Sequence, residues 1–290
     1  MLQLGVSTAI VAAYAVPYAL RAQTLRRRGR PVPRRRVACF ASGLVVLAVA
    51  VSPPFGAAAD RRLTAHMLEH LLLGDVAPLL IVLGLTGPLL APVLRVPLVG
   101  RARALTHPVI ALALWAAGLY AWHLRVAYEA AIDHELVHVA EHACFFLLGA
   151  NVWFALLGPL PKPAWFSNGA RLGYVLVVRI AATLLAYTFV WSGTVFYPHY
   201  RANGLADQSA AGAVMLVEES IVMVALFAWL LARTLRDAGC RQELAELAAQ
   251  HGVRLDERRI ARAVAADQGA ALMESVRRLT GEPEGTARGG

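Results

Sequence analysis

The stretch LTAHMLEHLLLGDVAPLLIVLGL, Leu63 to Leu85, decides the fold. It is long and apolar enough to cross a hydrocarbon core of roughly 30 Å, so it reads as a membrane helix. It nevertheless opens with His66, Glu69 and His70. Ionisable groups at the rim of a bilayer are costly to keep there and by default mark a site. Pro78, Gly84, Gly87, Pro88 and Pro92 interrupt the far half of the run over 64–94. A span to about Leu85 followed by a kinked or re-entrant piece is expected.

Further apolar runs of about 16–25 residues flank it, at about 2–20, 37–54, 107–122, 136–158, 172–192 and 209–232. They predict an all-α fold: a polytopic membrane helix bundle of seven transmembrane helices over 1–232. The 290-residue chain is 58% hydrophobic and 16% charged, unlike an ordinary soluble domain. The first run has no basic region ahead of it and no clear Ala-x-Ala cleavage site, so it reads as a retained span. From about Arg233 to Gly290 the composition changes to a basic, amphipathic cytoplasmic tail. Its helical spacing covers Glu243–Gln250 and Arg258–Met273, and it ends in a disordered stub with Gly and Pro.

A formal charge of +9 raises the question of nucleic acid, but the surplus arginine lies in loops between apolar runs. It fits membrane orientation instead. Loops that alternate to one side hold thirteen basic residues, eight of them in Arg21–Arg36 and the others Arg95, Arg101, Arg103, Lys162 and Arg171. The other side holds four, Arg61, Arg62, Arg125 and Arg201. The excess of Lys and Arg toward the cytoplasm puts the N-terminus outside and the C-terminus inside. Cys39, Cys144 and Cys240 are too far apart in sequence for a disulfide framework or a thiolate site.

Threaded this way, seven of the nine histidines reach the outer side. His66 and His70 open the third helix and His123 closes the fourth. His134, His138 and His142 open the fifth, and His199 lies in the last outer loop. Residues four apart share a helix face about 6 Å apart along the axis, so His66 with His70, and His138 with His142, can each grip one ion. His134, His138 and His142 span about 12 Å, too far for one metal, so at least one of them has another partner. Glu69 and Glu141 fall within about 60° of their histidine stripes. They can fix a ring tautomer or ligate directly. Imidazole suits copper, zinc, iron and nickel, and copper also takes thioether. Met67 follows His66 by one residue and is expected to point elsewhere, which leaves Met215 as the thioether candidate. Glu218 and Glu219 sit near mid-membrane, and Glu219 shares a face with Met215 and Met223, so a polar track inward is expected. Arg179 either snorkels or pairs with an intramembrane glutamate.

The same residues resemble the CtaG family of membrane proteins that assist assembly of caa3-type cytochrome c oxidase. The resemblance rests on His66-Met67-Leu-Glu69-His70, Ala77-Pro78 and Gly84, then Trp122-His123 and Tyr128. It continues with His138, Glu141-His142, Asp207-Gln208, Gly212 and Met215, in order over about 60–232. It implies a multi-pass bacterial plasma-membrane protein acting in copper supply to, or assembly of, a terminal oxidase. The partners it implies are oxidase subunits or other copper-handling proteins and the lipid bilayer, not nucleic acid. Asp207 then joins Glu69 and Glu141 as a carboxylate supporting the ligands. The paired cysteines of the single-span copper chaperone that shares the family's name are missing here. His134, His199 and the tail carry no counterpart in the resemblance.

Three chemistries fit the histidine belt. The first is a non-enzymatic metallochaperone holding copper through His66, His70, His123, His138 and His142, with binding that weakens below about pH 6 because neutral imidazole is required. The second is a heme-binding electron-transfer protein with axial histidines from facing helices. The third is an intramembrane zinc hydrolase, since His-x-x-Glu-His is also an inverzincin pattern.

Overall fold

The computed structural model describes residues 2–97, 103–253, 256, 260, 263–264 and 269–280. Arg101 of the basic loop, half of the tail helix expected over 258–273 and the terminal stub at 281–290 lie outside them. No strand occurs among the described residues. The helices are α1 (Leu2–Arg27), α2 (Arg34–Ala50), α3 (Pro53–Ala59), α4 (Leu63–Leu71), α5 (Ala77–Gly84) and α6 (Gly87–Leu90). They continue with α7 (Pro108–His123), α8 (Arg125–Asp133), α9 (Glu135–Leu157), α10 (Asn168–Trp191), α11 (Gly204–Gln250) and α12 (Gly269–Thr280). A π-helical turn, Leu72–Val76, joins α4 to α5, and a 3-10 turn, Pro198–Asn203, precedes α11.

Helix falls on each of the seven apolar runs. Among the described residues, four stretches are long and apolar enough to cross a membrane: Leu63–Gly84, Glu135–Leu157, Asn168–Trp191 and Pro198–Gln250. Two bent pairs, α2 with α3 (55°) and α7 with α8 (70°), raise the number of candidates to six. The first bend has a sequence cause, since Ser52 precedes Pro53 and adopts the extended backbone that a following proline enforces. The second falls at Leu124, also extended, with no proline nearby. The far half of the third run breaks at Leu85 as expected. Pro78 does not break it, because the π turn just before it absorbs the irregularity.

Burial departs from that of a water-soluble protein in two ways, by charged groups inside and by large apolar side chains outside. Glu141, Arg179, Glu69, Gln208 and Glu219 are buried, while Val45, Leu147, Leu184, Trp191 and Ile221 face outward. That arrangement suits a solvent of lipid chains, in which polar groups must find their partners inside the protein.

Glycines set several close crossings, two of them against the helix that opens with the histidines. At Gly43 on α2, a Cβ would meet the Ile81 backbone nitrogen at 2.9 Å and the Ala77 carbonyl at 3.0 Å, so α2 and α5 pack backbone to backbone. At Gly149 on α9, a Cβ would collide with the Gly74 carbonyl of the π turn. Pro78, four residues after Gly74, has no N–H to offer that carbonyl. The contact between α9 and the π turn is therefore shaped by a glycine on each side and a proline below.

The described chain divides into two compact units, Met1–Met223 and Val224–Gly290. Helix α11 runs on to Gln250 rather than ending near 232, because Leu231 to Gln250 is rich in Ala, Leu, Arg, Glu and Gln, all strong helix formers. In the second unit Leu244, Ile260 and Val264 form a small core with Cys240, Leu272 and Met273 packed against it.

Candidate metal centre

The start of α4 is fixed from a distance. Arg62 occupies its capping position without a side-chain hydrogen bond. Asp207 of α11 takes over, accepting from the Leu63 N–H at 2.8 Å, the Thr64 N–H at 3.3 Å and Thr64 Oγ1 at 2.6 Å. Gln208 beside it accepts from the Phe196 N–H at 2.7 Å and donates to the Thr194 carbonyl at 3.0 Å, which pins the loop carrying Tyr197 and Tyr200. Tyr197 Oη donates to the His123 carbonyl at 2.7 Å, taking up an acceptor exposed where α7 bends. Burial raises the Tyr197 phenol well above its usual range, so it stays a donor.

These supports bring the histidines together. Ring centroids lie 4.3 Å apart for His66 and His70, 4.1 Å for His138 and His142, 5.9 Å for His66 and His138, and 5.6 Å for His70 and His142. His123 approaches His70 at 6.1 Å, and Phe145 closes one wall at 4.5 Å from His70. Glu141 is fully buried and its nearest cationic candidate is His70 Nε2, 3.7 Å from Oε2, beyond hydrogen-bond reach.

Two tautomers follow from hydrogen bonding. His123 Nδ1 donates to the Leu119 carbonyl at 2.7 Å, leaving Nε2 as a free lone pair. Tyr200 Oη donates to the Ala59 carbonyl at 2.8 Å, so at its 3.2 Å contact with His66 Nδ1 the ring must be the donor. His66 Nε2 then also carries a lone pair into the cluster. This is how ligating imidazoles are oriented by a hydrogen bond on the opposite ring nitrogen.

Nine buried atoms of these histidines and glutamates have no hydrogen-bond partner among the described residues: His66 Nε2, Glu69 Oε2, both ring nitrogens of His70, Nε2 of His123, His138 and His142, and both oxygens of Glu141. So dense a set is costly in a native interior unless something else satisfies it. Among the described residues, three groups have donor atoms that all lie within 4.8 Å of one another: His66, His138 and Glu141; Glu69, His138 and His142; His70, Glu141 and His142. Ligands on one tetrahedral ion with bonds near 2.1 Å sit about 3.4 Å apart, so side-chain rotation of an ångström or so brings any group onto an ion.

Three expected site residues lie away from the rings, and a fourth, Met215, lies beside them. His134 is exposed at the capping position of α9, and His199 Nε2 donates to the Asp60 carbonyl at 2.9 Å, tying loop to loop. Asp207 caps α4, as described. Met215 is buried in the apolar cluster with Met67, Tyr128 and Phe189, and lines a cavity beside His70 and His123. Met67 lines the same cavity rather than pointing away, because it turns toward α11.

A family model described as cytochrome c oxidase caa3 assembly factor (Caa3_CtaG) matches residues 16–237. The chain belongs to that family. Every residue on which the resemblance rested falls inside the matched segment. Two curated relatives, uncharacterized proteins of Mycobacterium bovis and Mycobacterium tuberculosis, are each 25% identical over 238 residues. The matches cover 72% of this chain and 36% of each relative, so the chain spans about a third of the length of the curated proteins it matches. No solved structure matches the chain. In this Caa3_CtaG member, the sequence marks Tyr128 through the resemblance but not Tyr197 or Tyr200, and the three form the polar floor of the centre. Tyr128 and Tyr197 stack at 3.7 Å under His66 and His123. A cluster of tyrosines flanking His199 was the available signal.

Proposed function

We propose that this chain assists assembly of a terminal cytochrome c oxidase by holding copper at the centre formed by His66, His70, His123, His138 and His142 with Glu69 and Glu141. From there the ion passes to an oxidase subunit or another copper-handling protein. The proposal places the chain in the bacterial plasma membrane as seven spans, N-terminus outside, with the centre on the outer side. The thirteen-to-four asymmetry of basic residues supports that orientation.

The observation that carries the reading is the set of nine buried nitrogen and oxygen atoms without a protein partner, drawn from five histidines and two glutamates. A cation takes up to four of them at once, where hydrogen bonds within the cluster take none. Copper is favoured over zinc by the thioethers of Met67 and Met215 beside His70. An ion is favoured over heme because the adjoining cavity holds only about 50 Å³, whereas sites for larger organic ligands run to roughly 300–1,000 Å³.

Purified protein loaded with copper(I) under reducing conditions and then desalted is expected to retain the metal by elemental analysis and to show no Soret band. The double variant His70→Ala, His142→Ala is expected to lose it. No retention by the parent protein, or full retention by the double variant, overturns the proposal.

A further inference from the structure

Next to the histidine centre lies a second polar cluster that the metal reading does not use. Arg179 of α10, 2% exposed, donates from Nη2 to Asp75 Oδ2 at 2.7 Å and comes within 3.9 Å of Glu218 Oε2. Its guanidinium sits over Trp153 at 5.1 Å. Glu219, 3% exposed, accepts from Thr183 Oγ1 at 2.7 Å through Oε2, while its Oε1 has no protein partner. One guanidinium thus faces three carboxylates inside helices apolar enough to cross a membrane. Charges in such a place are kept only when they are compensated. The surplus negative charge calls for protons or a cation.

A cavity of about 50 Å³ joins this cluster to the histidines, lined by Asp75 and Glu219 on one side and His70 and His123 on the other. A water needs about 10–15 Å³ of such space and two to four polar partners. Glu219 Oε1, Asp75 Oδ1, the His70 ring nitrogens and His123 Nε2 are all unpartnered and supply them. The π turn makes this possible. On a straight α-helix, residues five apart point about 140° apart; a turn that closes at i+5, as the Ala77 N–H does on the Leu72 carbonyl, brings His70 and Asp75 onto one side.

We propose that Glu219, with Asp75 and Glu218 around Arg179, is a proton-holding site that exchanges protons with the histidine side of the protein through water in this cavity. A proton entering the cavity as hydronium ends on Glu219 Oε1 as a carboxylic acid and leaves by the reverse step. Only O–H bonds form and break, and no electron moves. The groups facing Glu219 are Arg179 and Thr183 from α10, Asp75 from the π turn, Tyr120 from α7 and Glu218 beside it, with His70 and His123 across the cavity. If the histidine centre holds a metal as proposed above, a cation entering it is matched by a proton leaving Glu219.

Difference infrared spectroscopy of the full chain in lipid nanodiscs, with the pH stepped, reads carboxylic acids through their C=O stretch and needs no metal. The expected result is a band that shifts in D2O and that Glu219→Gln removes. Gln keeps the shape and the hydrogen bond from Thr183. Ala182→Val and Leu119→Phe narrow the cavity walls and are expected to keep the band while slowing its exchange. A missing band, a band untouched by Glu219→Gln, or parental exchange rates in both cavity variants overturns the proposal. So does retention of sodium or another cation by a fully ionised cluster. With copper added, equal proton release by the parent and Glu219→Gln removes the counter-charge clause alone. A normal band in a protein that binds no copper removes only the metal reading.

Discussion

Replacing Asp207 by alanine is expected to loosen the first turn of α4 and, through it, the histidine centre. Asp207 satisfies two of the four N–H groups that every helix start leaves unpaired, those of Leu63 and Thr64. Losing a cap costs about 0.5–2 kcal/mol, and losing a negative charge at a helix N-terminus costs about 0.3–1 kcal/mol more. Asp207 is half-buried, so water recovers part of this. About 2 kcal/mol for alanine is the expected total, and about half that for asparagine, which caps without the charge. At 1.4 kcal/mol per tenfold, those losses correspond to roughly thirtyfold and fivefold. Hydrogen exchange with mass spectrometry should show the Leu63–Thr64 amides exchanging faster by those factors. His66 follows within the same turn, so copper retention should weaken in the same order, alanine more than asparagine. Parental protection in Asp207→Ala would refute the capping role. Copper loss with protection unchanged would put the Asp207 carboxylate at the metal instead.

Tyr200→Phe removes the acceptor that orients His66 and is expected to lower copper affinity about 10- to 100-fold by titration, with the fold intact by circular dichroism. His134→Ala and His199→Ala are expected to leave affinity unchanged in the same titration, since neither ring reaches the cluster. Gly149→Ala drives a methyl into the Gly74 carbonyl and should cost about 3 kcal/mol or more in unfolding experiments in detergent. Gly118→Ala, which meets only the end of the Leu148 side chain, should cost much less. Lys162, the chain's single lysine, is pushed down from 10.5 to about 8 by burial and by Arg171. Between those values the unfolded chain holds a proton that the folded one has given up, so stability should rise with pH across that window and flatten in Lys162→Met.

Much of the centre was legible because period and topology act together. The 3.6-residue repeat puts His66 with His70 and His138 with His142 on single faces. Alternation of apolar runs brings the ends of the third, fourth and fifth to one side, and nothing finer was needed to bring those rings and His123 together. What was not legible depends on contacts distant in sequence. Asp207 reads as a carboxylate near ligands, yet its partners are backbone N–H groups 143 and 144 residues away. Arg179 reads as either snorkelling or pairing with an intramembrane glutamate; its short contact is Asp75, and Glu218 is the longer one. Asp75 points there only because of the π turn, a feature that no local residue pattern announced. The bend at Leu124 has no proline to mark it. The extension of α11 follows from good helix formers beyond the apolar run, where hydrophobicity alone predicts an end.

The donors themselves are not what holds the centre in shape. Each of the three helices that deliver them is fixed by a backbone device away from the rings: Asp207 on the start of α4, Tyr197 on the last carbonyl of α7, and Gly149 of α9 seated against the π turn. Side chains can then rotate while their bases stay fixed. The three donor groups overlap, each drawing on two of His138, Glu141 and His142, and together they offer more donors than the four that one tetrahedral ion takes. For a protein proposed to give its metal away, that surplus has a use. An ion can exchange one donor at a time for a neighbour within 4.8 Å, never passing through a bare state, and so reach the edge where half-buried His138 stands. Removing one donor should therefore slow transfer more than it weakens binding, and removing two from the same group should abolish both. Equal losses of binding and transfer in every single variant would mean one rigid site and no relay.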